Sequence, residues 1–345
     1  WMAVNGASAA DVGSVGALTA LPWSLKLVNG FIMDRYTFLP MGRRRAWILG
    51  AQGVMIASLI VAALINPQVT DVAVLGALGF TVNMATTFQD VAVDGLAVDI
   101  MSEDERARGS GMMFGGQSIG IATATAICGF VIEDFGAPAA FLAVAAIIFV
   151  LCVYITSFRE REGERRLPWS AGGSHERNLA IQLEAWWPLL KSTFAALTKG
   201  VSLLWLPVIF GRGIMYGTLT GMTPLIGANY TGWQAAEISS LTATAGRVAG
   251  VLCMTLGGWL GDRFGAKRIG IMWLVAGVTM CAFMAFAVPL WSQSAVFMVF
   301  VMTWLTLDML ITVALLPISM RLCDAKVAAT QFTIYMAVAN FGISF

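Results

Sequence analysis

Long apolar blocks separated by short polar connections are the dominant pattern along this 345-residue chain. A helix needs about 20 mostly apolar residues to cross a bilayer, and ten blocks have about that length or more. They cover residues 12–33, 47–65, 72–100, 110–132, 138–157, 202–227, 238–260, 270–290, 294–319 and 327–345. The pattern therefore predicts an all-α membrane protein with at least ten transmembrane helices.

Composition supports the same class of protein. The chain is 58% hydrophobic and 12% charged, whereas a soluble domain averages about 25% charged residues. The five cysteines have no metal-site or disulfide spacing, and the single histidine, His175, lies in a polar connection. We therefore expect no metal, no cofactor and no nucleic-acid partner.

The placement of charge predicts an orientation in the membrane. Of the 21 Lys and Arg residues, 18 lie in alternate connections, at 35–45, 106–108, 159–199, 263–268 and 321–326. The opposite connections contain no Lys or Arg, and their charged residues are Asp11, Asp71, Glu133, Asp134 and Glu237. By the positive-inside rule we expect a multi-pass membrane protein with the Arg/Lys-rich side cytoplasmic.

A short polar phrase occurs twice, each time between two apolar blocks. The first copy contains Asp34 and Arg35 and is followed by a run from Gly42 to Arg45, and the second runs from Gly258 to Arg268. Two copies of one phrase predict two homologous membrane halves, which is typical of a transporter with an internal repeat.

The polar stretch between the halves sets the predicted domain boundaries. We expect an N-terminal bundle at 1–157, an inter-bundle loop at 158–200 and a C-terminal bundle at 201–345. Within the loop, apolar residues recur at near-helical spacing from Ile181 to Leu197. They predict an amphipathic helix, either at the membrane interface or as an ordinary linker helix without a partner.

Few charged residues fall inside the apolar blocks, and such residues are costly in hydrocarbon and usually functional or paired. They are Lys26, Asp90, Asp94, Arg212, Arg247 and Asp308. At 1.5 Å per residue, Lys26 lies about 12 Å and Asp90 about 13 Å from the basic ends of their helices. Arg212 lies at a similar depth, so these groups predict a shared polar cavity near mid-membrane.

Asp90 and Asp94 are four residues apart and therefore share one face of a helix, next to Gln89. Two nearby carboxylates in a low-dielectric site cannot both ionise easily, so one is expected to hold a proton. That property suits a proton-coupled carrier. The alternative is a fixed structural pair between Lys26 and Asp90.

The arginines inside the blocks indicate an anionic solute, because a guanidinium fork matches a carboxylate or phosphate. We predict solute contact for Arg212 and Arg247, together with Gln89. Alternatively, Arg247 pairs with Asp308 as a lock between helices, or Asp308 forms a second proton site.

The repeated phrase sits at helix ends, where carboxylates and arginines can pair across helices and separate on rearrangement. We therefore predict a conformational latch rather than a binding site. Its members are Asp34, Arg35, Arg43, Asp99, Asp262, Arg263 and Arg268, with Glu103 and Glu105 as further acidic partners for arginines.

The repeated phrase resembles the loop signature of the major facilitator superfamily. Short stretches narrow the resemblance to the AmpG permease and acetyl-CoA transporter family: Leu21 to Lys26, Asp34 to Tyr36, Gly42 to Trp47, Gln89 to Gly95 and Ala329 to Phe332. Elements of the same stretches also resemble folate–biopterin transporters.

The resemblance implies two pseudo-symmetric six-helix bundles, of which this chain would hold ten to eleven helices, with the two terminal helices truncated. It also implies a monomeric, proton-coupled importer of the bacterial inner membrane, which carries a bulky organic anion such as an anhydro-muropeptide by alternating access. Folate, pterin, acetyl-CoA or another organic anion is the alternative cargo. We expect the chain to be inactive without its missing helices. We do not expect a membrane enzyme, because the apolar blocks contain no His-containing acid–base pair, nucleophile elbow or metal cluster.

Overall fold

The computed structural model describes residues 2, 7–182 and 185–343. These residues form helices and connections, and no strand occurs among them. The prediction of an all-α protein is confirmed.

Among the described residues, each predicted apolar block overlaps one or more helices. The α-helices of the described residues are α1 (Ala9–Arg35), α2 (Arg45–Ile65), α3 (Val72–Ile100), α4 (Arg106–Thr156), α5 (Glu176–Ile181), α6 (Trp186–Leu197), α7 (Gly200–Ile226), α8 (Ala235–Leu252), α9 (Gly258–Phe264), α10 (Ala266–Phe286), α11 (Ser294–Leu322) and α12 (Ala328–Ile343).

Seven of the described helices are long and apolar enough to cross a membrane, namely α1, α2, α3, α4, α7, α10 and α11. The predicted total of ten is higher by three, because α4 contains two of the predicted spans, the span at 238–260 is divided between α8 and α9, and α12 has 16 residues. Gly136 breaks α4 with a φ of +80°, a backbone conformation that glycine adopts without steric cost. The span predicted at 238–260 is interrupted by a π-helical segment, Cys253–Gly257.

Close contacts divide the chain into two compact units. The first unit comprises residues 1–100, 124–198 and 323–334, and the second comprises 101–123, 199–322 and 335–345. The division at 157 and 200 into two bundles remains a prediction.

Apolar side chains hold the first unit together around α1, α2 and α3. Met33, Ile48, Val91 and Ala329 form one buried cluster, with Trp47 and Phe88 stacked beside it. This packing fixes α3, which carries the predicted aspartates, against α1, which carries Lys26.

The second unit is built around α11, whose residues are buried on most sides. It packs against α7, α8 and α10. Phe297, Val301 and Trp304 lie in the main apolar cluster of this unit. A helix that is apolar all round belongs in such an interior position, so Asp308 of α11 is held inside the unit.

Glycines of α4 allow a close approach to α8 and α9 within the second unit. A Cβ atom at Gly111 would lie 2.5 Å from the carbonyl oxygen of Cys253, and the hydroxyl of Ser118 donates to the carbonyl of Gly246 at 3.0 Å. Small residues four apart permit this type of backbone contact.

A polar segment after α4, called the connection segment (158–182), packs on the end of α2. The Glu160 carboxylate accepts hydrogen bonds from the backbone N–H groups of Arg43, Arg44 and Arg45 at 2.9 to 3.1 Å. It thereby caps the positive end of the helix dipole. The Arg45 guanidinium donates to backbone carbonyls, including that of Arg165 at 2.9 Å.

Candidate functional site

A polar seam runs between α1 and α3 in the first unit. Near one end, the Trp23 indole donates to the side-chain oxygen of Asn83 at 3.1 Å. Further along, the Asn29 amide donates to the Thr87 hydroxyl at 2.9 Å in a buried contact. The seam follows helical spacing, since its residues recur every three or four positions on each helix.

Lys26 lies in the middle of this seam and faces two carboxylates. Its ammonium forms an ion pair with Asp90, and its Nζ atom is 3.9 Å from the nearer oxygen of Asp94. The ammonium also lies 5.7 Å from the Trp23 ring centroid. The structure thus brings together three of the residues predicted for the cavity.

Gln89 lies beside these groups on α3. Its side-chain oxygen is buried and has no hydrogen-bond partner among the described residues. A buried unsatisfied acceptor is uncommon and calls for a partner. The contact of Gln89 with a solute remains a prediction.

The second unit holds the other intramembrane charges. The Arg212 Nη2 atom of α7 donates to both Asp308 carboxylate oxygens of α11, at 2.8 and 2.7 Å. Asp308 therefore pairs with Arg212 rather than with Arg247, which is exposed and donates to the carbonyl of Ala243 at 3.3 Å. Pairing with Arg247 was an alternative that the sequence left open, and α8 presents that side chain elsewhere.

Arg212 lies over an aromatic ring. Its guanidinium carbon lies 5.3 Å from the Tyr216 ring centroid, and Tyr216 contacts Trp304 edge to face. The Trp304 indole donates to the Thr223 hydroxyl at 3.1 Å. A cation over an aromatic face is stabilised by the ring quadrupole. Lys26 and Arg212 lie in different units, and the shared cavity remains a prediction.

The first copy of the repeated phrase forms a buried ionic network. The Asp34 carboxylate accepts from Arg44 at 2.7 Å and from Arg43 at 3.4 Å. It also accepts from the backbone N–H and the hydroxyl of Thr330, both at 2.8 Å. Asp34 thus binds the start of α12 as well as the arginines.

Asp99 completes the network from the end of α3. It accepts from Arg44 Nε at 3.0 Å and from Arg43 Nη1 at 3.5 Å. Sequence reasoning selected Arg43 from the arginine run, but Arg44 makes the shorter contacts to both carboxylates. Arg35, also predicted for the latch, instead stacks on Tyr36 at 4.9 Å.

The second copy of the phrase makes a more open ion pair. Asp262 accepts a hydrogen bond from the backbone N–H of Arg108 at 3.3 Å and forms an ion pair with the guanidinium, whose Nε atom lies 3.2 Å from a carboxylate oxygen. Arg263 stacks on Trp259 at 5.4 Å, and Arg268 is exposed. The two copies therefore share a sequence but differ in burial and in partners.

A second carboxylate of the connection segment is fully buried. Glu164 accepts from the side chain of Asn178 at 2.7 Å and from the backbone N–H of Arg161 at 2.9 Å. Burial, together with the nearby Glu160 charge, raises the pKa of Glu164 to about 7. Nothing in the local sequence marked this residue, because its burial depends on the docking of the segment.

Comparison with known proteins decides the family. The sequence model of the Major Facilitator Superfamily matches residues 1–345. The chain belongs to the Major Facilitator Superfamily. As a member of this superfamily it is a multi-pass membrane transporter rather than an enzyme.

Curated relatives of this Major Facilitator Superfamily protein come from bacteria. It is 22% identical to the anhydromuropeptide permease of Escherichia coli K12 over 347 residues, covering 99% of this chain and 67% of the relative. It is also 29% identical to an uncharacterized protein of Haemophilus influenzae over 98 residues, covering 28% of this chain and 23% of that protein.

Two solved transporters share the fold. The human organic anion transporter MFSD10 matches with a TM-score of 0.68 and 14% identity, covering 96% of this chain and 75% of that structure. The proton:xylose symporter XylE bound to 6-bromo-6-deoxy-D-glucose matches with a TM-score of 0.67 and 11% identity, covering 99% and 80%. At these identities the likeness shows the fold alone.

Proposed function

We propose that this protein is a proton-coupled importer of a bulky, anionic organic solute of the anhydromuropeptide class. The observation that carries the proposal is the cluster of Lys26, Asp90 and Asp94 inside the first unit. Intramembrane ionisable groups of this type mark solute or ion pathways.

The charges of this cluster do not balance when all three groups are ionised. One ammonium faces two carboxylates, so the cluster carries one net negative charge. Binding one proton to a carboxylate makes the cluster neutral, which is favourable in a low-dielectric environment. The cluster can therefore carry one proton in one conformation and release it in another.

The nature of the solute rests on the arginine of the second unit and on the relatives. Arg212 Nε has no hydrogen-bond partner among the described residues, so a donor remains available for an anionic group beside Asp308. The similarity to an anhydromuropeptide permease supports a bulky peptide-bearing sugar as the solute.

In this proposal the network around Asp34 and the ion pair of Asp262 act as latches during alternating access. Their carboxylates pair with arginines across helix ends, and such pairs can separate when helices rearrange. The Arg/Lys-rich connections would lie on the cytoplasmic side of a bacterial inner membrane, and the protein would act as a monomer.

Uptake by the full-length protein in liposomes tests the proposal. Labelled N-acetylglucosaminyl-anhydromuramyl peptide is supplied outside, under a pH gradient that is alkaline inside or acidic inside. We expect accumulation only with the alkaline interior. Accumulation to the same extent under both pH gradients would refute proton coupling. No accumulation by folded protein would refute the muropeptide solute in favour of folate, pterin, acetyl-CoA or another organic anion.

Variants of the cluster distinguish a loss of proton coupling from a loss of folding. We expect Asp90→Asn and Asp94→Asn to abolish gradient-driven accumulation while the protein remains folded. Asp134→Asn is the matched control, because Asp134 is exposed and should transport normally. Normal accumulation by both cluster variants would show that the coupling assignment is wrong.

A further inference from the structure

The short helix α6 has three distinct faces. Leu189, Thr193 and Ala196 are buried, whereas Trp187 and Phe194 are 75% and 71% exposed. At 100° per residue, the buried residues and the exposed apolar residues occupy neighbouring sectors, each about 60° wide. The helix therefore presents an apolar surface that the rest of the first unit leaves uncovered.

The buried face fixes α6 at the end of a membrane-spanning helix. Leu189 and Ala196 pack against Val327, with Phe31 of α1 beside them. Phe31 lies one turn before Arg35, the last residue of α1. Tyr36 contacts Trp186 edge to face, with ring centroids 5.7 Å apart. Hence α6 lies beside the Arg-rich end of α1.

The exposed apolar face extends over the helix. Leu190 is 46% exposed and lies about 40° from Phe194 and about 60° from Trp187 on the helical wheel, on the side nearer the buried face. The 12 residues of α6 span about 18 Å, which is too short to cross a bilayer. An apolar face at this level of the protein can instead enter the boundary between headgroups and acyl chains.

The remaining sector is suited to water and to charged headgroups. Lys191 and Ala195 are exposed. On the helical wheel they follow the exposed apolar face, on the side away from Leu189. A lysine stem can lie along apolar surface while its ammonium reaches phosphate groups. Tryptophan at the start of the helix also favours the interface, since its amphipathic ring sits at headgroup level.

We propose that α6 is an in-plane membrane anchor, with Trp187, Leu190 and Phe194 inserted into the leaflet on the Arg/Lys-rich side of the protein. The occupant of the exposed apolar face is thus the lipid bilayer. The anchor would hold the inter-bundle loop against both the membrane and the end of α1. The inference depends on the membrane location of the protein and not on its solute.

Site-specific photocrosslinking tests this anchor. Phe194→p-benzoylphenylalanine is made in the full-length protein, which is reconstituted into vesicles of phosphatidylcholine and phosphatidylglycerol at about 3:1, a composition with anionic headgroups. Irradiation inserts the benzophenone into nearby C–H bonds, and mass spectrometry detects lipid adducts. The matched control is Ala195→p-benzoylphenylalanine on the adjacent, water-facing sector.

A probe at Phe283, an exposed position within α10, reports the yield for a lipid-facing span. We expect the Phe194 probe to give a similar lipid yield and the Ala195 probe about tenfold less, because only one sector of an interfacial helix enters the acyl boundary. Equal yields at 194 and 195 would overturn the proposal. A crosslink from 194 to a second copy of the chain would also overturn it, because that face would then bind protein.

Discussion

The two copies of the Asp-Arg phrase allow the effect of burial on the stability of an ion pair to be measured within one molecule. We expect Asp34→Asn to destabilise the protein far more than Asp262→Asn. The side chains of Asp34 and its partner Arg44 are both 0% exposed, whereas those of Asp262 and its partner Arg108 are 10% and 61% exposed. The substitutions are chemically identical, so the difference between them reports the environment.

The structure sets the size of the expected effect. Removing one partner from a buried ionic network costs about 3–5 kcal/mol. Asp34→Asn keeps an oxygen that can accept from Thr330, so about 3 kcal/mol is expected, or roughly a hundredfold in the unfolding equilibrium. An ion pair whose arginine is largely solvated contributes about 0–1 kcal/mol, and the asparagine oxygen can still accept from the backbone N–H of Arg108, so about 1 kcal/mol is expected for Asp262→Asn.

Unfolding in mixed micelles of increasing dodecyl sulfate content, followed by circular dichroism, measures both free energies. The result expected is a gap of about 2 kcal/mol or more between the two variants. Equal losses of stability would refute the reasoning, since they would show that burial of the first copy contributes nothing beyond the pairing itself.

Three further predictions follow from other contacts. Raising the pH from 6 to 8 should weaken docking of the connection segment about tenfold, because the docked segment favours neutral Glu164 and this stabilisation is lost as the pH rises through its raised pKa of about 7. Hydrogen exchange of the segment should become faster over this pH range, and Glu164→Gln should abolish the pH dependence. Asp308→Asn should cost about 3 kcal/mol in unfolding free energy, and adding Arg212→Met should recover most of it; a double variant no more stable than the single one would contradict this. Gly30→Ala should cost about 1–3 kcal/mol because its Cβ would meet backbone at 2.9 Å, whereas Gly50→Ala, with open space, should be neutral or stabilising in the same assay.

Hydropathy predicted the helices because a span must satisfy its backbone internally and cover about 30 Å of hydrocarbon. Depth counted from helix ends also selected Lys26 and Asp90, which the structure pairs. Both inferences depend on distances along single helices, and such distances are contained in the sequence.

The sequence did not predict contacts between segments that are far apart along the chain. Thr330 and Asp34 are 296 residues apart, and no local pattern states that the start of α12 meets the end of α1. The choice of Arg212 over Arg247 as the partner of Asp308 likewise depends on which helix face is turned toward α11. Sequence could identify the charged residues but could not pair them.

The asymmetry of the repeated phrase has a consequence for any rearrangement of the first unit. Separating α1 from the start of α12 would remove two hydrogen bonds from Thr330 to a carboxylate that is fully buried. A buried carboxylate that loses donors incurs a desolvation cost unless water or other donors replace them. Opening the pair of Asp262 and Arg108 costs less, because the arginine is already largely solvated. The same phrase therefore forms a strong contact in one unit and a weak contact in the other, and only the first can impose a substantial free-energy barrier.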